Sequence, residues 1–324
     1  MKFLITGAAG FIGYHLSSNL LSQKYKVVAV DNINSYYDTK LKKHRIKLLK
    51  KDKNKINFSF IKLDLQNKKK LKHIFKQNNF DFVIHLAAQA GVRFSINRPE
   101  EYIKSNVIGF FNLLEIIRYT KTKLIFASSS SVYGKTKQNS FSESQKNSEP
   151  LQLYAATKSS NELMAYAYHS LYNLCVIGLR FFTVYGPLGR PDMAVYKFSK
   201  KIVQNKNIEL FNRGNHSRDF TYISDVVECI LKCVNKYKNK KEKTYQIFNV
   251  ANGKPEKITY LINLLSKEFN KKARLRPDKL QMGDMINTKA SINKTKRFLK
   301  FKPKVKLNEG VKEFVNWFKK YHKI

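Results

Sequence analysis

The fold is decided by the stretch KFLITGAAGFIG at residues 2–13. Its first five residues, Lys2–Thr6, are mostly apolar and predict a buried strand, and the apolar spacing after the turn is typical of a helix. Between the two lie Gly7, Gly10 and Gly13, which let the backbone turn sharply and approach a pyrophosphate closely. A helix that begins at such a turn presents free N–H groups and the positive end of its dipole to an anion. The stretch therefore predicts a strand, a phosphate-binding turn and a helix.

Short β-branched runs alternate with helical patterns through the rest of the first half. The predicted strands are Lys2–Thr6, Lys26–Val30, Phe58–Lys62, Phe82–Leu86 and Lys123–Ser128, later joined by Leu174–Arg180 and Tyr245–Val250. The predicted helices are Phe11–Gln23, Lys68–Gln77, Pro99–Tyr119 and Leu151–Tyr172. This alternation indicates a parallel sheet with helices on both faces, so we expect a doubly wound α/β Rossmann fold.

The acidic residue Asp31 indicates which dinucleotide the turn binds. It ends the second predicted strand, about 20 residues after the glycines, where a carboxylate binds the ribose hydroxyls of NAD. A carboxylate there would repel the 2′-phosphate of NADP, so the sequence favours NAD as the cofactor.

Tyr154 and Lys158 form a candidate proton-transfer pair. They lie four residues apart at the start of a predicted helix, so their side chains share one face. The ordinary tyrosine pKa near 10 is too high for a base at neutral pH. A neighbouring ammonium and the positive ring of NAD⁺ would favour the phenolate, which takes a proton from a sugar hydroxyl while hydride leaves for NAD⁺.

Hydroxyl side chains follow the fifth predicted strand, at Ser128, Ser129, Ser130 and Ser131. The carboxyl ends of parallel strands face the crevice in which doubly wound sheets bind ligands. We therefore expect one of these hydroxyls to hydrogen-bond the reacting oxygen, and Ser130 and Ser131 to be within reach of the sugar.

Several short motifs resemble the extended short-chain dehydrogenase/reductase family. The spacing Gly-x-x-Gly-x-x-Gly after Thr6 is one of them. Asp64 and Leu65 resemble its adenine-contacting pair, HLAA at 85–88 resembles its segment beside the pyrophosphate and ribose, and Asn106 matches the Asn that steadies its active-site backbone.

This resemblance implies a catalytic set and a cofactor site. Tyr154 and Lys158 stand at the family's usual place, and the family spacing assigns the shared hydrogen bond to Ser129. The implied NAD-binding residues are Gly7, Gly10, Phe11, Ile12, Gly13, Asp31, Asn32, Asp64, Leu65, Leu86, Ala87, Ala88, Asn106, Ser128, Tyr154, Lys158 and Phe181.

Longer phrases resemble the UDP-glucuronate 4-epimerases. These are QAGVRFS at 89–95, LYAATK at 153–158, RFFTVYGP at 180–187, GRPDM at 189–193 and RDFTYI at 218–223, together with DN at 31–32 and YYD at 36–38. The resemblance runs from residue 1 to about residue 285. The sequence departs from the pattern at Leu188, where an aromatic residue is expected, and at Ser291, where an acidic one is expected.

A UDP-uronate carries a diphosphate and a carboxylate, and arginine forks suit both groups. The resemblance places Thr183 and Arg190 near the sugar carboxylate, Arg218 at the diphosphate, and Phe211 and Met193 beside the uracil. The implied substrate-binding residues are Arg93, Ser129, Ser130, Ser131, Tyr154, Thr183, Arg190, Met193, Phe211 and Arg218.

The resemblance thus implies an NAD⁺-dependent isomerase that interconverts UDP-glucuronate and UDP-galacturonate through a 4-keto intermediate. It implies an NAD-binding Rossmann domain in 1–180, to which the strand near 245–250 returns, and a smaller lobe in 181–324 that mainly binds the UDP-sugar. By family analogy, we expect the helices Pro99–Tyr119 and Leu151–Tyr172 to pair with their copies in a homodimer.

Other activities are compatible with the same motifs. A UDP-glucose/UDP-galactose 4-epimerase would keep the proton-transfer set without needing Arg190. A decarboxylase of the same uronate also begins with oxidation at C4. A 4,6-dehydratase is disfavoured, because Ser130 and Ser131 supply no carboxylate for its acid–base pair.

The net charge of +39, from 62 Lys and Arg against 23 Asp and Glu, raises a different alternative. A nucleic-acid-binding protein on a vestigial dinucleotide fold would be strongly basic. The basic residues are spread along the chain rather than clustered in one stripe, and the catalytic pair and glycine turn are intact. We therefore expect no specific nucleic-acid partner and attribute the charge to a compositional bias.

Composition also bears on the compartment. Three cysteines make no disulfide framework, which is typical of a reducing cytoplasm. No apolar run reaches the ~20 residues of a membrane span, and the seven histidines show no metal-binding spacing. We expect a cytoplasmic enzyme with no membrane partner and no metal.

Overall fold

The computed structural model describes residues 1–91, 94–135, 140–145, 149–240, 243–280 and 285–324. Its strands are β1 (Lys2–Thr6), β2 (Lys26–Asp31), β3 (Phe58–Lys62), β4 (Phe82–His85), β5 (Lys123–Ser129), β6 (Cys175–Phe181), β7 (Thr183–Tyr185), β8 (Asn207–Phe211), β9 (Ser217–Tyr222), β10 (Thr244–Val250), β11 (Pro255–Lys257) and β12 (Arg274–Asp278).

The helices alternate with the strands in the first half of the chain. They are α1 (Phe11–Ser22), α2 (Thr39–Lys50), α3 (Lys68–Lys76), α4 (Phe94–Asn97), α5 (Pro99–Tyr102), α6 (Gly109–Thr120), α7 (Leu153–Tyr172), α8 (Ala194–Val203), α9 (Ile223–Tyr237), α10 (Ile258–Phe269), α11 (Asn293–Leu299) and α12 (Leu307–His322). Short 3₁₀ turns lie at Lys55–Asn57, Ser130–Tyr133 and Asn212–Gly214, and a π-helical turn lies at Ile103–Ile108.

A seven-stranded parallel sheet forms the centre of the molecule, in the order β10-β6-β5-β4-β1-β2-β3. The chain moves outward in one direction from β1 to β3, then returns to β4 on the other side of β1. This reversal makes a crevice at the carboxyl ends of β1 and β4, which is where such sheets bind ligands.

Side chains of successive residues in β1 point to opposite faces of the sheet and enter different cores. Phe3 and Ile5 pack in the cluster that contains residues of α1 and α9, whereas Leu4 packs with residues of α3, α6 and α7. Because both faces are buried, the strands are nearly continuous apolar runs. The predicted doubly wound α/β fold is confirmed.

The later part of the chain builds smaller sheets over the carboxyl ends of the large one. One has three strands in the order β11-β9-β7, and the other pairs β12 with β8. Helices α8, α10 and α12 share an apolar cluster that includes Tyr196, Leu261, Phe314 and Phe318. Strand β10 returns to the edge of the large sheet beside β6, where the sequence predicts such a strand.

Two helical segments differ from the prediction. Helix α2 is absent from the predicted elements, and the helix predicted over Pro99–Tyr119 is interrupted by the π-helical turn Ile103–Ile108. A single π turn inside a helix widens it locally and often lies at a functional site. Here the turn carries Asn106 beneath the crevice.

None of the described helices combines the length and the apolar character that crossing a bilayer would require.

Candidate active site

A cavity of about 1030 Å³ opens at the carboxyl ends of the central strands and continues under the later part of the chain. Its wall includes the glycine turn after β1, the ends of β4 and β5, the start of α7, and the segment from Thr183 to α8. A single cavity of this size brings together motifs that are far apart in the sequence.

Most of the predicted site residues line this cavity. From the predicted cofactor set these are Gly7, Gly10, Phe11, Ile12, Gly13, Asp31, Asn32, Asp64, Leu65, Leu86, Ala87, Ala88, Ser128, Tyr154, Lys158 and Phe181. From the predicted substrate set they are Ser129, Ser130, Ser131, Tyr154, Thr183, Arg190, Met193, Phe211 and Arg218. Arg93 lies outside the described residues.

The glycine turn leaves no room for side chains. Gly7 has a left-handed φ of +72°, and a Cβ there would lie 2.6 Å from the backbone nitrogen of Ala87. A Cβ at Gly13 would overlap the carbonyl oxygen of Gly7. Gly10, which precedes α1, offers no side-chain cap, and the neighbouring Phe11 lines the cavity. An uncapped helix N-terminus facing a cavity fits the diphosphate of a dinucleotide.

Asp31 lies at the end of β2, and both of its carboxylate oxygens accept hydrogen bonds from backbone N–H groups. Oδ2 accepts from the N–H of Ala9 at 3.1 Å, and Oδ1 accepts from the N–H of Ile33 at 2.7 Å. Burial raises its pKa, while these hydrogen bonds and the Lys42 charge act in the opposite direction. The carboxylate is therefore held in a fixed orientation at the cavity wall.

The predicted adenine-contacting residue Asp64 is linked to Asn32. The amide of Asn32 donates to Oδ2 of Asp64 at 2.9 Å, and its Oδ1 accepts from the N–H of Asn34 at 3.1 Å. The ends of β2 and β3 are thus tied together where the ribose and adenine are expected.

Asn106 differs from the other predicted cofactor residues because it lies behind the cavity wall. It is 1% exposed, and its Oδ1 accepts from the N–H of Gln89 at 2.8 Å. Its Nδ2 donates to the carbonyl of Gln89 and to Oγ1 of Thr157, each at 3.0 Å. These bonds steady the backbone after β4 against α7, and they engage both ends of the Asn106 amide.

The hydroxyl of Ser129 is oriented toward Tyr154. Ser131 donates to Oγ of Ser129 twice, from its N–H at 3.2 Å and from its hydroxyl at 2.9 Å. These two bonds leave the single proton of Ser129 available for the hydrogen bond that it forms with the Tyr154 phenol. Ser131 therefore acts on Ser129 as well as lining the cavity.

Burial raises the pKa of the Tyr154 phenol above the ordinary value for tyrosine. The Ser129 hydrogen bond and the positive charge of Arg190 lower the pKa, but burial has the larger effect. The pKa of Tyr154 is therefore raised overall, whereas the Tyr–Lys spacing predicts a lowered pKa. Phenolate formation therefore needs additional positive charge close to Tyr154.

Lys158 is 1% exposed, and its Nζ donates to the carbonyl of Ala127 at 2.9 Å. Burial lowers its pKa to about 8, and the negative charge of Glu162 opposes this shift. Glu162 lies one turn further along α7 and was not predicted as a site residue.

Glu162 belongs to a buried ion pair with Arg180 of β6. Nε and Nη2 of Arg180 donate to the two carboxylate oxygens at 2.9 Å and 2.7 Å, and the hydroxyl of Ser128 donates to Oε1 at 2.6 Å. The i, i+4 spacing from Lys158 is the sequence signal that places Glu162 on the same helix face.

Arg190 forms a second arginine–carboxylate fork, with Asp192. Nε of Arg190 donates to Oδ1 at 3.0 Å and Nη2 donates to Oδ2 at 2.5 Å. The Tyr36 hydroxyl also donates to Oδ2, at 3.0 Å. Neither Tyr36 nor Asp192 was predicted as a site residue, although both lie in phrases that carry the resemblance.

The residues predicted to hold the uridine diphosphate lie on β8, on β9 and just before α8. Nη1 of Arg218 donates to the carbonyls of Ser217 at 3.0 Å and Ile286 at 2.9 Å, which fixes the side chain across β9. Phe211 ends β8 and Met193 immediately precedes α8. Both side chains are partly buried in the wall, so each has an accessible apolar surface.

Helix α2 supplies a further residue that the sequence did not reveal. Arg45 is fully buried, and its Nη1 donates to the carbonyl of Ala9 at 2.9 Å. Nη2 donates to the carbonyls of Leu188 at 2.6 Å and Gly189 at 3.3 Å. Arg45 thus joins the glycine turn to the loop that carries Arg190.

Leu188 and Ser291, the two residues that depart from the family motifs, both contact other parts of the chain in the structure. Leu188 is buried in an apolar cluster with a left-handed φ of 58°. Ser291 donates its N–H to the carbonyl of Phe141 at 2.9 Å, and its own carbonyl accepts from Asn249. Both residues serve backbone packing rather than lining the cavity.

Known proteins are similar in sequence to this chain over nearly its whole length. The chain is 44% identical over 337 residues to protein CapI of Staphylococcus aureus, covering 100% of each chain. It is 41% identical over 319 residues to a UDP-glucuronate 4-epimerase of Thermodesulfobacterium geofontis, covering 98% of this chain and 96% of that one.

A solved structure shows the same fold. The crystal structure of UDP-glucuronic acid 4-epimerase from Bacillus cereus, in complex with UDP-glucuronic acid and NAD, superposes with a TM-score of 0.92. It is 34% identical and covers 99% of this chain and 100% of that one. The profile of the NAD dependent epimerase/dehydratase family matches residues 3–251. With this match and these full-length relatives, the chain belongs to the NAD dependent epimerase/dehydratase family.

Proposed function

We propose that this protein is an NAD⁺-dependent isomerase that interconverts UDP-glucuronate and UDP-galacturonate through a 4-keto intermediate. The observation that carries the proposal is that one cavity holds the glycine turn, the Ser129–Tyr154–Lys158 set and the Arg190 guanidinium. The first two suit oxidation of a sugar hydroxyl by a dinucleotide, and the third suits a carboxylate on that sugar. The relatives named UDP-glucuronate 4-epimerase support the same substrate.

NAD is the cofactor that the described residues fit. The N–H groups at the start of α1 would hold its diphosphate, the carboxylate of Asp31 would hold the adenosine ribose, and Asp64 and Leu65 would border the adenine. Bound NAD⁺ supplies a reversible hydride acceptor and a positively charged ring.

The protein's own part in the chemistry is to move one proton. Tyr154 takes the proton from the C4 hydroxyl, and Ser129 shares the hydrogen bond to the same oxygen. The ammonium of Lys158 lies on the same helix face as Tyr154, and together with the positive ring of bound NAD⁺ it would favour the phenolate form. Because epimerisation returns the proton after the sugar presents its other face, Tyr154 serves first as base and then as acid.

Charged and polar residues further along the cavity hold the substrate. Arg190 and Thr183 would bind the sugar carboxylate, and Arg218 would bind the diphosphate. Phe211 and Met193 would border the uracil. In this arrangement residues 1–180, with β10, form the cofactor domain, and residues 181–324 mainly form the lobe that holds the nucleotide sugar.

The activity is tested by mixing the purified protein with UDP-glucuronate and following the sugar signals by NMR, with and without added NAD⁺. We expect UDP-galacturonate to appear, and we expect Tyr154→Phe to slow its formation by about 10³-fold, because the proton then has no acceptor. Tyr25→Phe is the matched control, since Tyr25 packs on Phe3 away from the cavity.

Turnover of UDP-glucose or UDP-galactose without turnover of UDP-glucuronate would replace the proposal with a neutral-sugar epimerase. A product that has lost carbon dioxide would identify a decarboxylase instead. An unchanged rate in Tyr154→Phe would remove Tyr154 from the mechanism.

We also propose that the protein is a homodimer. Helices α6 and α7 lie side by side and expose large apolar side chains, including Phe111 at 41%, Tyr119 at 74%, Leu163 at 73% and Leu171 at 71%. Large exposed apolar side chains on neighbouring helices are typical of an interface. A second copy of the same two helices would cover it with two-fold symmetry.

A cytoplasmic location completes the proposal. It is supported by the three cysteines, Cys175, Cys229 and Cys233, which are all free and buried. Reducing compartments keep thiols in this state. Cell fractionation followed by detection of the protein tests the location directly.

A further inference from the structure

The guanidinium of Arg190 is held by its neighbours at the cavity wall. Two of its nitrogens, Nε and Nη2, donate to the carboxylate of Asp192 in a fork at 3.0 Å and 2.5 Å. Its central carbon also lies 5.8 Å from the centre of the Tyr36 ring, within the range of a cation–π contact. The side chain is thus restrained along one edge by a carboxylate and on one face by an aromatic ring.

The opposite edge of the guanidinium remains available. The fork to Asp192 uses Nε and Nη2 and so does not involve Nη1. The side chains of Arg190 and Asp192 are 21% and 28% exposed. Both line the cavity with Tyr154. An arginine bonded to one carboxylate through Nε and Nη2 can still receive another carboxylate at the Nη1 end, because the five N–H donors form separate edges.

Tyr36 links Asp192 to the catalytic tyrosine through a packed aromatic group. Its hydroxyl donates to Asp192, and its ring lies 4.8 Å from Phe94. Tyr102 lies between Phe94 and Tyr154, with ring centres 6.3 Å and 6.0 Å away. The position of Asp192 is therefore set by the same packed surface that borders Tyr154.

Glycine at position 91 is required for this packing. Gly91 has a φ of +105°, and a Cβ there would overlap the hydroxyl oxygen of Tyr36. Its carbonyl accepts a hydrogen bond from the hydroxyl of Tyr102. The backbone after β4 thus approaches Tyr36 closely enough to restrict where its hydroxyl can lie.

We propose that Asp192 and Tyr36 are positioning residues that hold Arg190 with its Nη1 edge toward the substrate, and thereby make the site select a sugar carboxylate over a neutral hydroxymethyl group. The inference rests on the proposed function, because it assigns the selectivity of that same site. An unrestrained arginine would lose its side-chain freedom on binding the carboxylate, whereas here that freedom is restricted beforehand.

The test compares two ligands on the NAD-loaded protein. Isothermal titration calorimetry gives the dissociation constants of UDP-glucuronate and UDP-glucose for the wild type, Asp192→Ala and Tyr36→Phe. We expect Asp192→Ala to weaken UDP-glucuronate binding by about 10-fold and to change UDP-glucose binding by less than about 2-fold. Tyr36→Phe removes one hydroxyl only, so we expect an effect in the same direction of about 3-fold.

Two further variants separate positioning from folding. Asp192→Glu keeps the charge and should restore part of the selectivity for the uronate. Asp81→Asn is the matched control, because Asp81 accepts a backbone hydrogen bond from Lys2 at the start of β1, at the other end of the sheet. For Asp192→Ala and Tyr36→Phe, the KM for UDP-glucuronate should rise by a larger factor than kcat falls, since most of the loss lies in binding.

Tighter binding of UDP-glucuronate to Asp192→Ala would overturn the inference, because Asp192 would then compete with the substrate carboxylate. Equal losses for both ligands would overturn it as well, since the residue would then support the cavity in general. These outcomes leave the proposed function intact if the wild type epimerises UDP-glucuronate. Failure of the wild type to do so would reject the proposed function first and the inference with it.

Discussion

Lys158 places a charged group in the interior of the protein. Its Nζ bonds to a backbone carbonyl, and burial lowers its pKa to about 8 from an ordinary value near 10.4. Below pH 8 both the folded and unfolded chains carry the charge, so the full cost of burying it is present at pH 7. Between about pH 8 and 10 the unfolded chain binds the additional proton, so this cost is relieved as the pH rises.

Replacing the ammonium by an apolar group should therefore stabilise the protein and inactivate it. We expect Lys158→Met to raise the free energy of unfolding at pH 7 by about 1–2 kcal/mol, after allowing for the lost hydrogen bond to Ala127. Epimerisation should slow by about 100-fold, because Tyr154 loses its neighbouring charge.

Urea unfolding at pH 7 and at pH 9.5 measures the effect of Lys158→Met on stability. The difference between variant and wild type should shrink at the higher pH. Lys69→Met, on an exposed part of α3, is the control. It should change neither the free energy of unfolding nor the rate of epimerisation. An equal difference at both pH values would assign the effect to packing rather than to charge.

At the scale of elements, α2 connects two parts of the cavity wall, the glycine turn and the loop that carries Arg190. Arg45 donates to the carbonyl of Ala9 in the glycine turn and to those of Leu188 and Gly189 in the loop before Arg190. It is fully buried, so each of these carbonyls would lack a partner and be shielded from water if the guanidinium were removed.

We expect Arg45→Met to lower the free energy of unfolding by about 2–4 kcal/mol, because three buried carbonyl groups lose their donor while one buried charge is relieved. The same variant should raise the KM for UDP-glucuronate more than it changes kcat, because the Arg190 loop is loosened. Urea unfolding and steady-state kinetics measure the two effects. Arg98→Met, at an exposed ion pair, is the control. If Arg45→Met has the same KM as the wild type, Arg45 does not position the loop.

Helix α2 also shows where the sequence pattern was insufficient. Its buried face contains Leu41, Ile46 and Leu49, but also Lys42 and Arg45. Apolar periodicity identifies a helix by its apolar face, and two cations on that face obscure the signal. By contrast, β1 and α1 were predictable because their burial is almost entirely apolar.

Within the site, residues in local motifs were easier to predict than contacts between distant parts of the sequence. The glycine turn and the Tyr154–Lys158 pair lie in contiguous motifs, so local spacing was enough to predict that they line a cavity. The contact between Tyr36 and Asp192 joins residues 156 positions apart. Such a contact depends on how the later lobe packs against the sheet, which local spacing does not determine.

At the scale of the whole molecule, the proposed dimer depends on one apolar face. We expect the double variant Leu163→Glu/Leu171→Glu to be a monomer, because two carboxylates per copy would be buried in the interface without partners. Light scattering after size-exclusion chromatography measures the mass, and circular dichroism shows whether the fold is kept. Ile56→Glu, at a side chain that is 92% exposed elsewhere on the surface, is the control. A wild type that is monomeric at micromolar concentration would contradict the proposed dimer.

The net charge of +39 acts on the whole molecule and on an anionic substrate alike. Lys197, Lys200 and Lys206 line the cavity, so part of the positive charge lies beside the proposed substrate site. The electric field of this charge speeds the arrival of a UDP-uronate. Dissolved salt limits the range of the field, because the screening length is about 20 Å at 0.02 M and about 7 Å at 0.2 M.

We therefore expect kcat/KM for UDP-glucuronate to fall by about 3–10-fold between these two salt concentrations, with kcat nearly constant, because the field acts on encounter rather than on proton transfer. Steady-state rates in potassium chloride measure the change, with sucrose at matched osmolality as the control. Lys200→Glu should make the dependence on salt shallower, since it reverses one charge in the cavity wall. A kcat/KM that does not respond to salt would show that encounter is insensitive to the basic surface. The abundance of lysine would then have no consequence for the reaction.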